Sequence, residues 1–120
     1  MKHNRNHVIK FPPDMISSVI TCAGERLNIR CPSGRRITIV SANHGRQRSA
    51  LCTERPDGSQ FEEVDCVSRN TLAIVKTHCE GRQECSLATN ARTLNYGEDP
   101  CRGKPKYANV SYICDEVTDR

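Results

Sequence analysis

The chain has 120 residues, eight cysteines, no tryptophan and a formal net charge of +4 at pH 7. That length suits one domain, and a hydrophobic content of 36% implies a thin core that disulfides would reinforce. The cysteines form no CxxC pair, which disfavours zinc, and the scarcity of aromatic residues disfavours nucleic acid as a partner. We therefore expect a disulfide-bridged domain from an oxidising compartment that needs no metal or cofactor.

The two ends of the chain differ from its middle. Residues 1–16 include basic residues, Pro12 and Pro13 but no apolar core of a signal peptide, so we expect a flexible N-terminal extension. Residues 17–116 are expected to form the domain, and residues 117–120 a short tail. No segment has the apolar run that a bilayer requires, so direct membrane insertion is not expected. From the cysteines alone we expect a secreted protein or a receptor ectodomain made without its leader.

The first predicted elements are two strands. "RLNIRC" and "RRITIVSA" alternate large apolar with polar residues, with Leu27 and Ile29 in the first and Ile37 and Ile39 in the second. The segment "CPSG" between them is typical of a turn. The pattern predicts a β-hairpin.

A helix and two further strands follow. "VSRNTLAIVKTHCEG" has Leu72, Val75 and Cys79 at helical spacing, with Ser68 or Asn70 as N-cap and a glycine stop signal at Gly81. "ECSLA" predicts a short strand, "NARTLNYGEDPCRGKPK" a loop with one helical turn, and "YANVSYIC" a closing strand. These elements indicate an α+β fold with antiparallel pairing.

The segment "SANHGRQR" places one histidine beside a glycine and two arginines. From the residues alone, His44 is an acid or base, a metal ligand, a ligand-contacting ring or a loop residue without a role. The arginines from Arg26 to Arg48 have no acidic residue between them. A solvated surface explains such a run more simply than a dedicated anionic-ligand site.

Four motifs together identify a family. "TCAG", "ANHGR", "DPC" and "KYANVSYIC", with eight cysteines in order, resemble the galactose- and rhamnose-binding lectins of the sea-urchin-egg-lectin (SUEL) type, found also in latrophilin-like and EVA-1-like receptors. The resemblance covers Ile20 to Asp115. It implies a compact α+β domain with antiparallel β-sheets, a few short helices and no metal or other cofactor.

The resemblance also implies four disulfides: Cys22–Cys52, Cys31–Cys114, Cys66–Cys101 and Cys79–Cys85. The last pairing is physically natural, because only "EGRQE" separates its cysteines and a short reversal there brings the two α-carbons within bridging distance.

The sugar site that the resemblance implies is partly altered here. Asp99 matches as an acceptor or loop anchor, Gly103 as a point of close backbone approach, and Lys106 as a donor. Ala23 stands where the family has a glutamate, and Glu25 would share its face in a regular strand. His44 replaces the tyrosine of ANYGR, so it either contacts the ligand or is an exposed loop residue without a role.

Basic residues flank this site in both of its segments. We expect an anionic glycan or glycoprotein ligand, or an acidic protein surface, to contact residues among Arg46, Arg48, Arg102, Lys104 and Lys106. "NVS" adds an N-glycosylation acceptor pattern at Asn109.

Three functions compete at this point. The first is an extracellular lectin-like module from an adhesion or signalling receptor, with a modified sugar site. The second is a protein–protein interaction module at the cell surface that keeps the scaffold and has lost monosaccharide binding. The third, a ribonuclease-like hydrolase using His44 and His78, is disfavoured because no nucleophile motif such as GxSxG occurs. We therefore expect no enzymatic activity.

Overall fold

Seven elements make up the fold in a computed structural model that describes residues 15–46, 52, 66–101 and 106–116. In chain order they are β1 (Ser17–Cys22), β2 (Arg26–Arg30), β3 (Arg35–Gly45), α1 (Thr71–Cys79), β4 (Glu84–Ala88), α2 (Ala91–Leu94) and β5 (Tyr107–Glu116). They form a three-stranded sheet in the order β1-β5-β3 and a two-stranded sheet of β2 and β4, and all pairs are antiparallel. The predicted α+β class is confirmed.

The predicted hairpin of β2 and β3 is wrong. β2 pairs with β4, so that Leu27 lies opposite Leu87, and β3 pairs with β5 in the other sheet. The turn between β2 and β3 closes with the Arg35 N–H donating to the Pro32 carbonyl at 3.0 Å, but it carries the chain from one sheet to the other. The alternation of apolar and polar residues located both strands, but it did not indicate which strands they pair with. β1 was not predicted at all.

The core lies between the two sheets and α1. The inward residues of β2 and β3 (Leu27, Ile29, Ile37 and Ile39) are all at most 3% exposed, as their alternation predicted. The helix contributes a slightly different face from the predicted one: Val75 and Cys79 are buried, but Leu72 is 38% exposed. Ile74 and Thr71 are buried instead.

The ends of α1 follow local chemistry. Asn70 is the N-cap residue, as predicted, although its side chain makes no capping hydrogen bond. After the C-cap Glu80, Gly81 has φ +78°, a left-handed conformation that glycine adopts without steric cost. The predicted stop signal therefore ends the helix.

Four disulfides join these elements, and all four are the pairs that the family resemblance implies: Cys22–Cys52, Cys31–Cys114, Cys66–Cys101 and Cys79–Cys85. Cys31–Cys114 ties the two-stranded sheet to β5 of the three-stranded sheet. Cys66–Cys101 fixes the segment after residue 65 to the segment that precedes β5. Each native bridge in a small domain contributes about 2–5 kcal/mol, so these links dominate its stability.

Candidate functional site

A cavity of about 320 Å³ opens where the turn after β1, the end of β4 and the start of α2 meet. Its lining includes Ala23 and Glu25 from the turn after β1, and Thr89 and Asn90 from the segment between β4 and α2. His44, Asp99 and Lys106 also line it. The structure thus brings together Glu25, His44, Asp99 and Lys106, but of the described candidate residues it leaves Arg46 outside the cavity.

Asp99 and Lys106 form the charged edge of this cavity. The Lys106 ammonium lies 3.1 Å from Oδ1 of Asp99 and also donates a hydrogen bond to the Cys101 carbonyl at 3.1 Å. The same Asp99 oxygen accepts the Cys101 backbone N–H at 3.0 Å. An acceptor and a donor for neighbouring hydroxyl groups therefore lie side by side, held to a segment that a disulfide anchors.

The pKa of Asp99 is lowered by these contacts. Partial burial acts in the opposite direction, because it disfavours the charged form, but the Cys101 N–H and the Lys106 ammonium outweigh it. His44 adds a smaller contribution in the same direction. Asp99 is therefore an ionised acceptor at neutral pH.

His44 is buried, with 1% of its surface exposed, and lies in β3 opposite Ala108 of β5. The expectation of an exposed loop histidine is wrong, because β3 continues through the "SANHG" segment to Gly45. Its backbone N–H donates to the Ser68 hydroxyl at 2.9 Å. Ring Nδ1 has no hydrogen-bond partner among the described residues. A buried ring nitrogen without a hydrogen-bond partner is unusual, and this one belongs to a residue that lines the cavity.

The pKa of His44 is lowered, first by burial and then by the positive charge of Lys106, while Asp99 opposes the shift. His44 is therefore neutral at physiological pH and offers a neutral ring to the cavity. At that pH the ring carries no charge that would attract an acidic ligand.

Arg46 does not form part of an exposed basic surface. It is 1% exposed, and its guanidinium carbon lies 5.4 Å from the centre of the Tyr107 ring, within cation–π range. Its backbone forms two hydrogen bonds with Cys66, of 3.1 and 2.7 Å. This bridge extends the path of β3 into the interior, which corrects the expectation that Arg46 contacts an anionic ligand.

Two other residues of "ANHGR", Asn43 and Gly45, contact the segment that carries Cys66 and Ser68. Oδ1 of Asn43 accepts the backbone N–H of Ser68 at 2.8 Å. A Cβ atom on Gly45 would lie 2.1 Å from the Cys66 carbonyl oxygen, so only glycine fits there. The motif therefore holds β3 close to the segment that carries Cys66 and Ser68, and its His44 also lines the cavity.

Glu25 lines the cavity but lies in the turn before β2, not in a regular strand. Its Oε1 accepts the Cys22 backbone N–H at 3.1 Å. The strand argument that would place it on the face of Ala23 is therefore wrong. Glu25 provides a carboxylate at the cavity rim, while Ala23 provides none.

Sequence reasoning missed Thr89 and Asn90. Thr89 is 1% exposed, and its hydroxyl has no hydrogen-bond partner among the described residues. Asn90 accepts the Thr93 N–H at 2.8 Å as the N-cap of α2. The sequence predicted one helical turn within "NARTLNYGEDPCRGKPK" but not its cap, and no local signal distinguishes Thr89 from any other strand-end residue.

The remaining predicted residues fall into two groups. Asn109 is half-buried in the central strand β5, between buried Ala108 and Val110. Its side chain therefore points away from the core. Glycosylation of Asn109 stays a prediction. Arg48, Arg102, Gly103 and Lys104 lie outside the described residues.

The structure does not assemble the alternative hydrolase site. His78 is exposed near the end of α1 and lines a different cavity from His44. Among the described residues no group of three or more His, Cys, Asp or Glu side chains is arranged to hold a metal ion. Within that same part of the chain, neither helix is long and apolar enough to cross a bilayer.

The chain is similar in sequence to several known proteins. The chain is 38% identical over 93 residues to the D-galactoside-specific lectin of Heliocidaris crassispina, covering 78% of this chain and 85% of that lectin. It is 35% identical to Latrophilin-like protein 1 of Caenorhabditis elegans and 32% identical to Protein eva-1 homolog C of Mus musculus. It covers only 9% and 21% of those two longer proteins, respectively.

Residues 29–114 match the family described as the D-galactoside/L-rhamnose binding SUEL lectin domain. The match includes β3, α1, β4, α2 and most of the closing strand, together with His44, Asp99 and Lys106. The chain belongs to the SUEL lectin domain family.

Proposed function

We propose that this chain is a non-catalytic carbohydrate-binding module whose saccharide site is the 320 Å³ cavity around Asp99 and Lys106. The observation that carries the proposal is the 3.1 Å pairing of a carboxylate with an ammonium at the cavity edge. Adjacent sugar hydroxyls both donate and accept hydrogen bonds, so they require such a pair of groups at close range. The similarity to a D-galactoside-specific lectin supports this proposal.

His44 and Thr89 extend the same argument into the interior. Both side chains are buried, both line the cavity, and each carries a polar atom without a partner among the described residues. Buried polar atoms usually have a partner, and a hydroxylated ligand or an ordered water would supply one.

An NMR titration tests this proposal. Galactose and rhamnose, added separately to ¹⁵N-labelled protein, should shift the amide signals of Thr89, Asn90, Asp99 and Lys106 more than those of α1. Asp99→Asn should weaken the binding, whereas Glu98→Gln, which removes the neighbouring exposed carboxylate, should not. Saturating sugar that moves no signal near the cavity would contradict a monosaccharide site there.

The finer proposal is that the preferred ligand is an anionic glycan outside the cell, bound by a module of a larger adhesion or signalling receptor. Arg48, Arg102 and Lys104 carry the basic charge for this preference. Arg46 no longer contributes, and Lys106 is already paired with Asp99. A heparin column tests the preference: Arg102→Glu with Lys104→Glu should elute at lower salt than the wild type. Equal elution would place any anionic contact elsewhere.

The alternative is a protein-interaction module that has lost monosaccharide binding. The observation that favours it is Ala23, which lines the cavity at the position where the family resemblance expects a glutamate. In that case neither sugar would shift the NMR signals of the cavity residues, and a protein ligand would bind to the same face.

A further inference from the structure

A second and larger cavity, of about 510 Å³, forms a groove on the outer face of the β2–β4 sheet. Its polar and charged lining residues are Asn28, Arg30, His78, Arg82, Glu84 and Ser86. All six are exposed, whereas Leu27 and Leu87 on the other face of the sheet belong to the core. The outer face of this small sheet is thus concave and polar.

The groove is predominantly basic. Arg30 and Arg82 line it, against one carboxylate, Glu84. Arg30 and Glu84 lie 3.6 Å apart with their side chains 76% and 65% exposed, so their attraction is weak and easily exchanged for a ligand. A guanidinium carries five N–H donors, and a contact to one carboxylate leaves others for an incoming anion.

The rim around Arg82 is held rigidly. The Arg82 N–H donates to the Cys79 carbonyl at 3.1 Å, and its own carbonyl accepts the Ile37 N–H at 2.8 Å. The Cys79–Cys85 disulfide closes the same short loop. Since the backbone is fixed to both β3 and α1, binding an anion here would order only side chains.

A hydrogen bond joins the lining of the groove to the lining of the proposed saccharide cavity. Arg26 lines that cavity, and its Nε donates to the Ser86 hydroxyl at 3.1 Å. Ser86 in turn lines the groove. Along β2, Arg26 and Arg30 are on the same face and about 13 Å apart at the usual strand rise. One extended ligand can therefore contact both sites.

We infer that the groove binds a sulfated segment of a saccharide chain whose neighbouring sugar occupies the Asp99–Lys106 cavity. This inference rests on the proposed function. The lining favours a saccharide over an acidic peptide, because Asn28 and Ser86 provide hydrogen-bonding groups for hydroxyls. Of the described lining residues the apolar ones are Ile29, which is 2% exposed, and the disulfide-bonded Cys85, so these residues offer a peptide no exposed aliphatic or aromatic side chain.

The test compares a sulfated heparin hexasaccharide with the chemically desulfated hexasaccharide of the same backbone. Calorimetric titrations would use the wild type, Arg30→Ala with Arg82→Ala, and the control Arg36→Ala with Arg92→Ala. The control removes the same charge from exposed positions that line neither cavity. We expect the groove variant to lose at least tenfold in affinity for the sulfated chain and the control to lose less than threefold.

Three results would overturn the inference: no binding of the sulfated hexasaccharide, equal losses in both double variants, or equally strong competition by a glutamate-rich peptide of the same charge. Galactose titration of the groove variant separates this inference from the proposed function. Unchanged shifts at Thr89 and Asp99 with a lost sulfate preference support both. Sulfated-chain binding through Arg30 and Arg82 without any monosaccharide response would support the groove and refute the cavity.

Discussion

The Lys106 ammonium and the Asp99 carboxylate, 3.1 Å apart, both also bond to the backbone of Cys101, one through its carbonyl and the other through its N–H. Cys101 is bridged to Cys66, and Cys66 in turn pairs with Arg46 at the end of β3. The charged edge of the cavity is therefore fixed by covalent and backbone links, and its two side chains need not hold the loop together alone.

This arrangement separates ligand binding from stability at Lys106. Lys106→Met should weaken galactose or rhamnose binding about tenfold or more, because a hydrogen bond to a charged group contributes about 1.5–3 kcal/mol. The free energy of unfolding should fall by about 1 kcal/mol or less, since the pair is partly exposed to solvent. Sugar titration and urea unfolding measure the two effects. The exposed Lys76→Met on α1 is the matched control. A large loss of stability without a loss of affinity would show that Lys106 is structural.

Ala23 tests the missing carboxylate. Ala23→Glu should strengthen binding of galactose or rhamnose about tenfold or more, because the exposed position lines the cavity and a carboxylate there would accept sugar hydroxyls. Ala73→Glu, at an exposed position of α1, adds the same charge away from the cavity and should have no effect. Tighter binding by both variants, or weaker binding by Ala23→Glu, would refute this role for position 23.

The buried histidine predicts a pH dependence of stability. The pKa of His44 in the folded protein lies below its ordinary value of 6.5, because burial and Lys106 disfavour the charged ring more than Asp99 favours it. The other charged residues that line the cavity beside His44 are Glu25 and Arg26. As the pH falls below 6.5, the unfolded chain binds more protons than the folded one, so the free energy of unfolding should decrease. Above 6.5 the contribution of His44 is fully present.

Urea unfolding between pH 7.5 and 5 would measure this slope. His44→Phe should flatten it, whereas His78→Gln, which alters an exposed histidine, should leave it unchanged. Asp99 does not confuse the comparison, since its pKa lies below 3.8 and the stability that it contributes is lost only at more acid pH. An identical slope in His44→Phe would assign the effect to other groups.

Local patterns in the sequence predicted most elements but not their partners. The alternation around Ile37 and Ile39 indicates a strand with one buried face, yet it is equally compatible with pairing to β2 or to β5. The choice depends on long-range packing and on the Cys31–Cys114 bridge, which the family resemblance supplied and spacing alone did not.

The site shows the same division. Asp99 and Lys106 were predicted together because both match the family pattern and only six residues separate them in the sequence. Thr89 was missed because its importance comes from the distant turn at Glu25, whose carbonyl accepts the Thr89 N–H at 3.2 Å. The burial of Arg46 was missed because an arginine is expected at the surface unless a partner such as the Tyr107 ring is known.

The last prediction concerns the close approach of β3 to the segment that carries Cys66. Gly45→Ala would place a Cβ atom 2.1 Å from the Cys66 carbonyl oxygen, so one backbone must move. Moving it strains the two Arg46–Cys66 hydrogen bonds and displaces the neighbouring His44 from the cavity wall. We expect the variant to lose about 1–3 kcal/mol of unfolding free energy, as overpacking typically does, and to bind sugar more weakly.

Gly34→Ala is the matched control, because a Cβ atom there meets nothing within 4 Å and the substitution causes only the strain of a left-handed residue at φ +87°. That strain costs about 1–2 kcal/mol, and Gly34 does not line the cavity. Gly34→Ala should therefore lower stability without lowering the sugar affinity of the folded protein, which separates the two substitutions even if their stability losses are similar. If urea unfolding and sugar titration show that Gly45→Ala keeps both full stability and wild-type affinity, then neither the close approach at Cys66 nor its control of the His44 position is correct.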